Sequence, residues 1–163
     1  YGALGRGVER IARGFGMDIL IAERKGATEV RHGRIPFEEV LGRADAIAIH
    51  SPLTPETRNM IGREEFKLLK PSAVLVNCGR GGLIDEVALV DALVEGRIAG
   101  AATDVLTIEP PAEGNPLLDS KIPNLIVTPH NAWSSQQAQR ELTRQIVTIL
   151  DSYRSGSPIN LVY

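Results

Sequence analysis

The sequence predicts an α/β fold built on a doubly wound parallel sheet. Short β-branched apolar runs alternate with amphipathic helical stretches, Gly and Pro gather between them, and polar residues recur where the runs end. Residues 74–110 (VLVNCGRGGLIDEVALVDALVEGRIAGAATDVLTIEP) are the most informative: they read as strand, glycine-rich turn, helix, second strand and charged loop. The run Ala73-Val74-Leu75-Val76 suits a strand buried on both faces. It ends at Asn77-Cys78-Gly79-Arg80-Gly81-Gly82, one arginine set among glycines. Asp85 is placed to cap the following helix, Ala88, Leu89, Ala92 and Leu93 mark its apolar face, and Gly96 closes it. The next strand is expected over residues 98–105, running into Asp104 and then Glu109-Pro110. Arg80, Asp104 and Glu109 therefore finish or follow strands at their carboxyl ends, the edge where open parallel sheets bind ligands.

From the start of the chain, Tyr1-Gly2-Ala3-Leu4-Gly5-Arg6-Gly7 leads into a helical pattern with Val8, Ile11, Ala12 and Phe15, ended by Gly16-Met17. Residues 18–22 (DILIA) read as a strand with Glu23 at its carboxyl end. Gly2 and Gly5 have the spacing of the last two glycines of G-x-G-x-x-G, and Glu23 lies 21 residues after Gly2. An acid about 20 residues beyond such glycines binds ribose hydroxyls in dinucleotide folds. Glycines alone make a tight turn or a helix cap; with the acid at this distance and a helix between, the dinucleotide reading is favoured. The first glycine and the strand before it are not in the sequence, so a sheet lacking its first strand is expected, within an N-terminally truncated domain spanning residues 1–163. Arg24 and Lys25 either admit a 2′-phosphate or form a solvated turn; repulsion by Glu23 favours the turn.

Further along, a short helix is expected at residues 37–41 and a strand at 46–50, followed by the proline-stiffened turn Ser51-Pro52-Leu53-Thr54-Pro55-Glu56-Thr57. Residues 63–67 read as a solvated helix face with Phe66, Leu68 and Leu69 turned inward, stopped by Pro71. A Pro/Gly-rich loop over 112–123 has Leu117 and Leu118 as anchors. Leu125-Ile126-Val127 makes the last strand and delivers Thr128-Pro129-His130-Asn131-Ala132-Trp133. Ser134 is placed to cap a long helix with Ala138, Leu142, Ile146, Ile149 and Tyr153 on one face, stopped by Gly156 and Pro158. The tail is expected to dock or, over residues 154–163, to exit towards another domain.

Composition narrows the function classes. A net charge of −2 and a pI near 6.0 offer no basic patch for nucleic acid or an anionic membrane. One cysteine excludes an intrachain disulfide and suits a reducing cytoplasm. No apolar run approaches the ~20 residues of a membrane span, and no His/Cys/Asp spacing suggests a metal.

His130, Glu109 and Arg80 at separate strand ends have the makings of a proton-transfer site beside an anion clamp. Histidine titrates near neutral pH, a neighbouring carboxylate favours its charged form, and arginine grips a carboxylate bidentately. Each also has a plainer role open to it: His130 bonded to backbone, Arg80 a surface charge, Glu109 an ordinary loop acid. His32 reads as surface, and His50 as a strand-end residue offering backbone atoms. Cys78 is expected as a small buried residue rather than a reactive thiol, and Trp133 as packing at the site's edge.

Val76-Asn77-Cys78-Gly79-Arg80-Gly81, Asp85-Glu86, Ala88-Leu89, Gly100-Ala101, Asp104-Val105, Glu109-Pro110 and Thr128-Pro129-His130 together resemble the D-isomer-specific 2-hydroxyacid dehydrogenases over essentially the whole chain. The resemblance implies a Rossmann-type NAD-binding domain, with NADP possible. It implies Arg80 as substrate-binding arginine, His130 as acid/base and Glu109 as its partner. Cofactor contacts are implied from Gly2, Ala3, Leu4 and Gly5 at the pyrophosphate, Glu23 at the ribose, Pro52 and Thr57 along the phosphates, and Cys78, Arg80, Asp104 and His130 near the nicotinamide. Ala22-Glu23-Arg24-Lys25-Gly26-Ala27 and His130-Asn131-Ala132-Trp133 are similar to the glycerate dehydrogenase (hydroxypyruvate reductase) branch. The expectation is hydride transfer between a nicotinamide and a small 2-oxo acid, hydroxypyruvate or glyoxylate, by a cytoplasmic homodimer. An NAD(H)-sensing protein of the co-repressor type and a catalytically inert cofactor-domain fragment are the other readings.

Overall fold

Four short strands pair in parallel, in the order β1-β2-β3-β4: β1 Ala46–Ile49, β2 Val74–Asn77, β3 Gly100–Thr103 and β4 Leu125–Val127. The computed structural model describes residues 1–119 and 121–161. The chain divides into two units, Tyr1–Pro129 and His130–Tyr163. The first unit holds the sheet together with helices α1 Ala3–Gly14, α2 Phe37–Arg43, α3 Arg63–Phe66 and α4 Glu86–Val94, and a 3₁₀ turn at Pro116–Leu118. The second is built on α5, Gln136–Arg154. This is a Rossmann-like parallel sheet with flanking helices.

The register aligns the strand ends. Ile49 pairs with Asn77, Asn77 with Thr103, and Thr103 with Val127. The residues that follow leave the sheet from a single row, which is what gathers their loops at one edge.

The elements form for local reasons. In α4, Asp85 Oδ1 accepts from the backbone N–H groups of Val87 (3.1 Å) and Ala88 (3.0 Å), satisfying donors the first turn leaves open. At the other end Gly96 takes φ 67°, and the amides of Gly96 and Arg97 donate to the carbonyls of Leu93 and Ala92. Ala88, Leu89, Ala92 and Leu93 are all buried, as their spacing predicts. Leu41, Ile61, Leu75, Leu83 and Leu89 form the innermost layer. Each such side chain contributes about 1.5–3 kcal/mol by leaving water. The 59–61 segment is zipped to the chain after Arg80: Asn59 N–H donates to Gly82 O (2.7 Å), Ile61 N–H to Leu83 O (3.2 Å), and Asp85 N–H to Ile61 O (2.9 Å).

Several boundaries and faces differ from expectation. Residues 18–22 are not a strand of this sheet; Ala22 makes one isolated parallel bridge to Ile35. Among the described residues no strand lies along their length, and an extended segment without a ladder partner does not become a strand. No residue of α1 is buried, so its apolar face has no sheet beneath it among the described residues. Leu68 and Leu118 point outward while Phe66, Leu69 and Leu117 are buried. Positions three apart share a helical face and their neighbours do not. The strand expected over 98–105 forms only at Gly100–Thr103, where β2 supplies four partners, and His50 falls just outside β1. Ser135, not Ser134, caps α5: its Oγ accepts from Ala138 N–H (3.1 Å), whereas the Ser134 hydroxyl donates to Asn131 O (2.7 Å). The tail expectation falls partly on Val162 and Tyr163, outside the described residues. Among the described residues no helix is long and apolar enough to cross a membrane.

Candidate active site

Just beyond the aligned row lie Cys78, Asp104 and Thr128. Asp104 N–H donates to Asn77 O (3.0 Å) and Thr128 N–H to Thr103 O (3.0 Å), so backbone pairing holds both loops to the sheet edge. Asp104 is buried, and its Oδ1 accepts a short hydrogen bond from the Thr128 hydroxyl. Cys78 is exposed, contrary to the expectation of a buried residue, because the alternation of β2 turns Asn77 inward and Cys78 outward. Partial burial and then the Asp104 carboxylate push the Cys78 thiol above its ordinary value.

The loop bearing Arg80 is shaped by Asn77, a buried polar side chain at the end of β2. Its Oδ1 accepts from Gly79 N–H (3.0 Å) and its Nδ2 donates to Arg80 O (2.9 Å). Both ends of this amide are used, as a buried one requires. The Arg80 side chain is exposed, with Nη1 donating to Gly79 O (2.7 Å).

Gly81 is where this loop meets the one bearing Glu109. A Cβ on Gly81 would lie 1.8 Å from Leu106 O and 2.6 Å from Thr107 N, so only glycine permits the contact. The second loop has its own braces. Glu109 Oε1 accepts from Leu106 N–H (2.6 Å). Glu86, in the first turn of α4, accepts from Thr107 N–H (2.7 Å) and from Asn115 Nδ2 (2.8 Å).

At the other candidate positions, α1 begins at Gly2 with no side-chain cap, which leaves its first-turn N–H groups available to an anion. Nothing lies within 4 Å of a Cβ built on Gly2, so there is room for a group to approach. A Cβ on Gly5 would sit 3.8 Å from His50 Cβ, which sets the start of α1 beside the end of β1. Ala3 and Leu4 lie in that first turn. The Thr57 hydroxyl donates to Pro52 O (2.7 Å) and accepts from Thr54 N–H (2.8 Å), closing the turn after β1. Glu23 is buried and already paired: both of its oxygens accept from Arg31, whose guanidinium holds the carboxyl well below the usual carboxylate range. Lys25 is drawn away to Glu65 (2.7 Å) and Met60 O (3.1 Å).

His130 opens the second unit in a left-handed backbone conformation, φ 51°, and its carbonyl accepts from Trp133 Nε1 (2.9 Å). Trp133 is thus tied to the histidine's own turn. Among the described residues no group of three His, Cys, Asp or Glu could hold a metal ion.

The structure therefore gathers Cys78, Arg80, Asp104 and Glu109 at one edge of the first unit, and sets α1's start beside the end of β1. Reading the sequence for chemistry missed Asn77, Gly81, Glu86, Thr128 and Arg31 as builders of these loops. Asn77 was legible in principle, as a polar residue closing an apolar strand. Arg31 gave no local signal, since its partner lies eight residues back in a loop.

The group of residues fits a dinucleotide at the uncapped start of α1, with Glu23 available to a ribose only if Arg31 releases it. The family described as "D-isomer specific 2-hydroxyacid dehydrogenase, NAD binding domain" matches residues 1–132. A glycerate dehydrogenase of Methylorubrum extorquens is 45% identical over 162 residues, 99% of this chain and 50% of that protein. Among solved structures, a D-isomer specific 2-hydroxyacid dehydrogenase from Lactobacillus delbrueckii ssp. bulgaricus in its NAD-complexed form superposes with a TM-score of 0.84 at 32% identity, covering 99% of this chain and 53% of that one. An acyclic imino acid reductase in complex with NADPH and D-Arg gives 0.84 at 30% identity, covering 99% and 51%. The chain spans about half the length of these relatives. With the aligned strand ends, the Arg80 and Glu109 loops and the family match over residues 1–132, the chain belongs to the D-isomer specific 2-hydroxyacid dehydrogenases, through their NAD-binding domain.

Proposed function

We propose that this chain is the cofactor-binding part of an NAD-dependent oxidoreductase that interconverts a D-2-hydroxy acid and its 2-oxo acid, with hydroxypyruvate or glyoxylate as substrate. The observation that supports this most is the contact of Gly81 with Leu106, which keeps the Arg80 loop against the Glu109 loop at the strand-end edge. In the proposed site Gly2, Ala3, Leu4 and Gly5 receive the pyrophosphate on backbone N–H groups. Glu23 faces the ribose, and Pro52 and Thr57 border the phosphates. Cys78 and Asp104 border the nicotinamide, the group that supplies or accepts the hydride.

Arg80 binds the substrate carboxylate, where its planar fork fits a bidentate partner and its charge polarises the adjacent carbonyl. His130, as imidazolium, donates the proton that completes reduction to the alcohol and takes it back in the reverse direction. Glu109 is the carboxylate partner in this reading. A cytoplasmic homodimer is part of the same reading, as is an exit of residues 154–163 towards a substrate domain.

The test is oxidation of NADH by the complete gene product with hydroxypyruvate, glyoxylate and pyruvate offered separately. Turnover favouring one of the first two is expected; no turnover with any of them, while NADH still binds, would remove the enzymatic reading. His130→Ala should lower kcat by about 10²–10⁴-fold with NADH affinity kept. Arg80→Ala should chiefly raise KM for the oxo acid. Equal loss of NADH affinity in both variants would contradict these roles.

A further inference from the structure

The region around Glu23 holds a feature that the cofactor reading does not use. Glu23 is buried at the end of residues 18–22, and each of its oxygens accepts two hydrogen bonds. Oε1 takes Arg24 N–H (2.8 Å) and Arg31 Nη2; Oε2 takes Arg31 N–H (3.2 Å) and Arg31 Nε (2.7 Å). A carboxylate offers about four lone-pair sites, so this one is saturated. Arg34 stands beside it as well, its Nε 3.9 Å from Oε2 and its Nη1 donating to Ala22 O (3.0 Å). The single negative charge of Glu23 thus faces the guanidinium groups of Arg31 and Arg34, and Arg24 is its neighbour in the chain.

We propose that Arg31 decides which nicotinamide dinucleotide the protein accepts, because it occupies the carboxylate that would otherwise hold the adenosine ribose. The inference rests on the reading that the cofactor lies at the start of α1 with its ribose towards Glu23. A ribose diol presents hydroxyl donors and needs an empty acceptor. To reach Glu23 it must displace a two-pronged guanidinium whose side chain is itself half exposed. A 2′-phosphate presents acceptors instead, and a guanidinium fork fits them. The repulsion that Glu23 alone would exert on that phosphate is cancelled by its own partner. Arg31 therefore penalises the cofactor without the phosphate and assists the one with it. Lys25 takes no part, since Glu65 and Met60 hold it.

The test is fluorescence titration of the complete gene product with NADH and NADPH, for the wild type, Arg31→Leu and Arg31→Lys. The wild type should bind NADPH within about tenfold of NADH or more tightly, and its NADPH affinity should fall steeply with salt, as phosphate–arginine pairs do. Arg31→Leu should tighten NADH and weaken NADPH, moving their ratio at least about tenfold towards NADH, while Arg31→Lys, which keeps charge but not the fork, should fall between. Because Arg31→Leu leaves Glu23 buried without its counter-ion, the double variant Glu23→Gln/Arg31→Leu is titrated beside it; the ratio should move the same way. A wild type that prefers NADH by more than about 100-fold, or a ratio unchanged in the variants, would overturn the role of Arg31 and leave the cofactor site standing. Binding of neither dinucleotide would remove the cofactor reading and this proposal with it.

Discussion

Replacing Gly81 with alanine tests whether the contact between two loops is what assembles the site. The added Cβ would stand 1.8 Å from Leu106 O, 2.1 Å from Leu106 C and 2.6 Å from Thr107 N, where real Cβ atoms keep at least 3.0 Å. The atoms met are backbone, so no side chain can rotate aside. The loops must part by more than about 1 Å, and overpacking of that kind costs about 1–3 kcal/mol. At about 2–4 °C per kcal/mol for a chain of this size, the thermal midpoint should fall by several degrees. The functional cost is larger. Thr107 is pinned through Glu86 and Glu109 through Leu106, so parting the loops moves Glu109 relative to Arg80. Misplacement by about 1 Å can cost about 10²-fold in rate. Circular dichroism melting and steady-state kinetics of the complete gene product measure the two effects. Gly7→Ala is the control: it lies inside α1, meets nothing within 4 Å, and replaces glycine by the better helix former. Wild-type melting and wild-type kcat/KM in Gly81→Ala would refute the argument that this close approach builds the site.

Two further outcomes follow from single residues. Asp85→Ala removes the acceptor for the Val87 and Ala88 amides and should cost about 1 kcal/mol, read as a drop of about 2–4 °C in melting with α4 still formed. An unchanged midpoint would mean that water serves the first turn equally well. Cys78, although exposed, should react slowly with iodoacetamide at pH 7, since the thiolate is the nucleophile and its thiol is pushed up. The rate should climb as pH rises, and Asp104→Asn, which removes a negative charge, should shift that climb to lower pH. A reaction at pH 7 as fast as that of an unperturbed peptide thiol would contradict this.

What the sequence determined by itself is whatever rests on near neighbours. The β2–α4–β3 unit was legible because its devices are local: Asp85 as cap, Gly96 as stop, and apolar residues repeating at helical spacing between them. Arg80, Asp104 and Glu109 were legible as strand-end residues for the same reason, since the end of an apolar run marks the end of a strand. The tertiary structure decided what depends on distant partners. Residues 18–22 have a strand's composition but, among the described residues, no ladder to join, and a strand exists only through its neighbour. Leu68 and Leu118 have the right character but the wrong phase, which packing rather than hydropathy selects. Gly81 is one glycine among several until Leu106 is brought against it. Glu23 has the spacing of a ribose ligand, yet Arg31 folds back to fill its acceptor sites. Each of these turns on which atoms meet across space: periodicity along the chain encodes faces and ends, whereas contacts between loops are set only when the sheet aligns them.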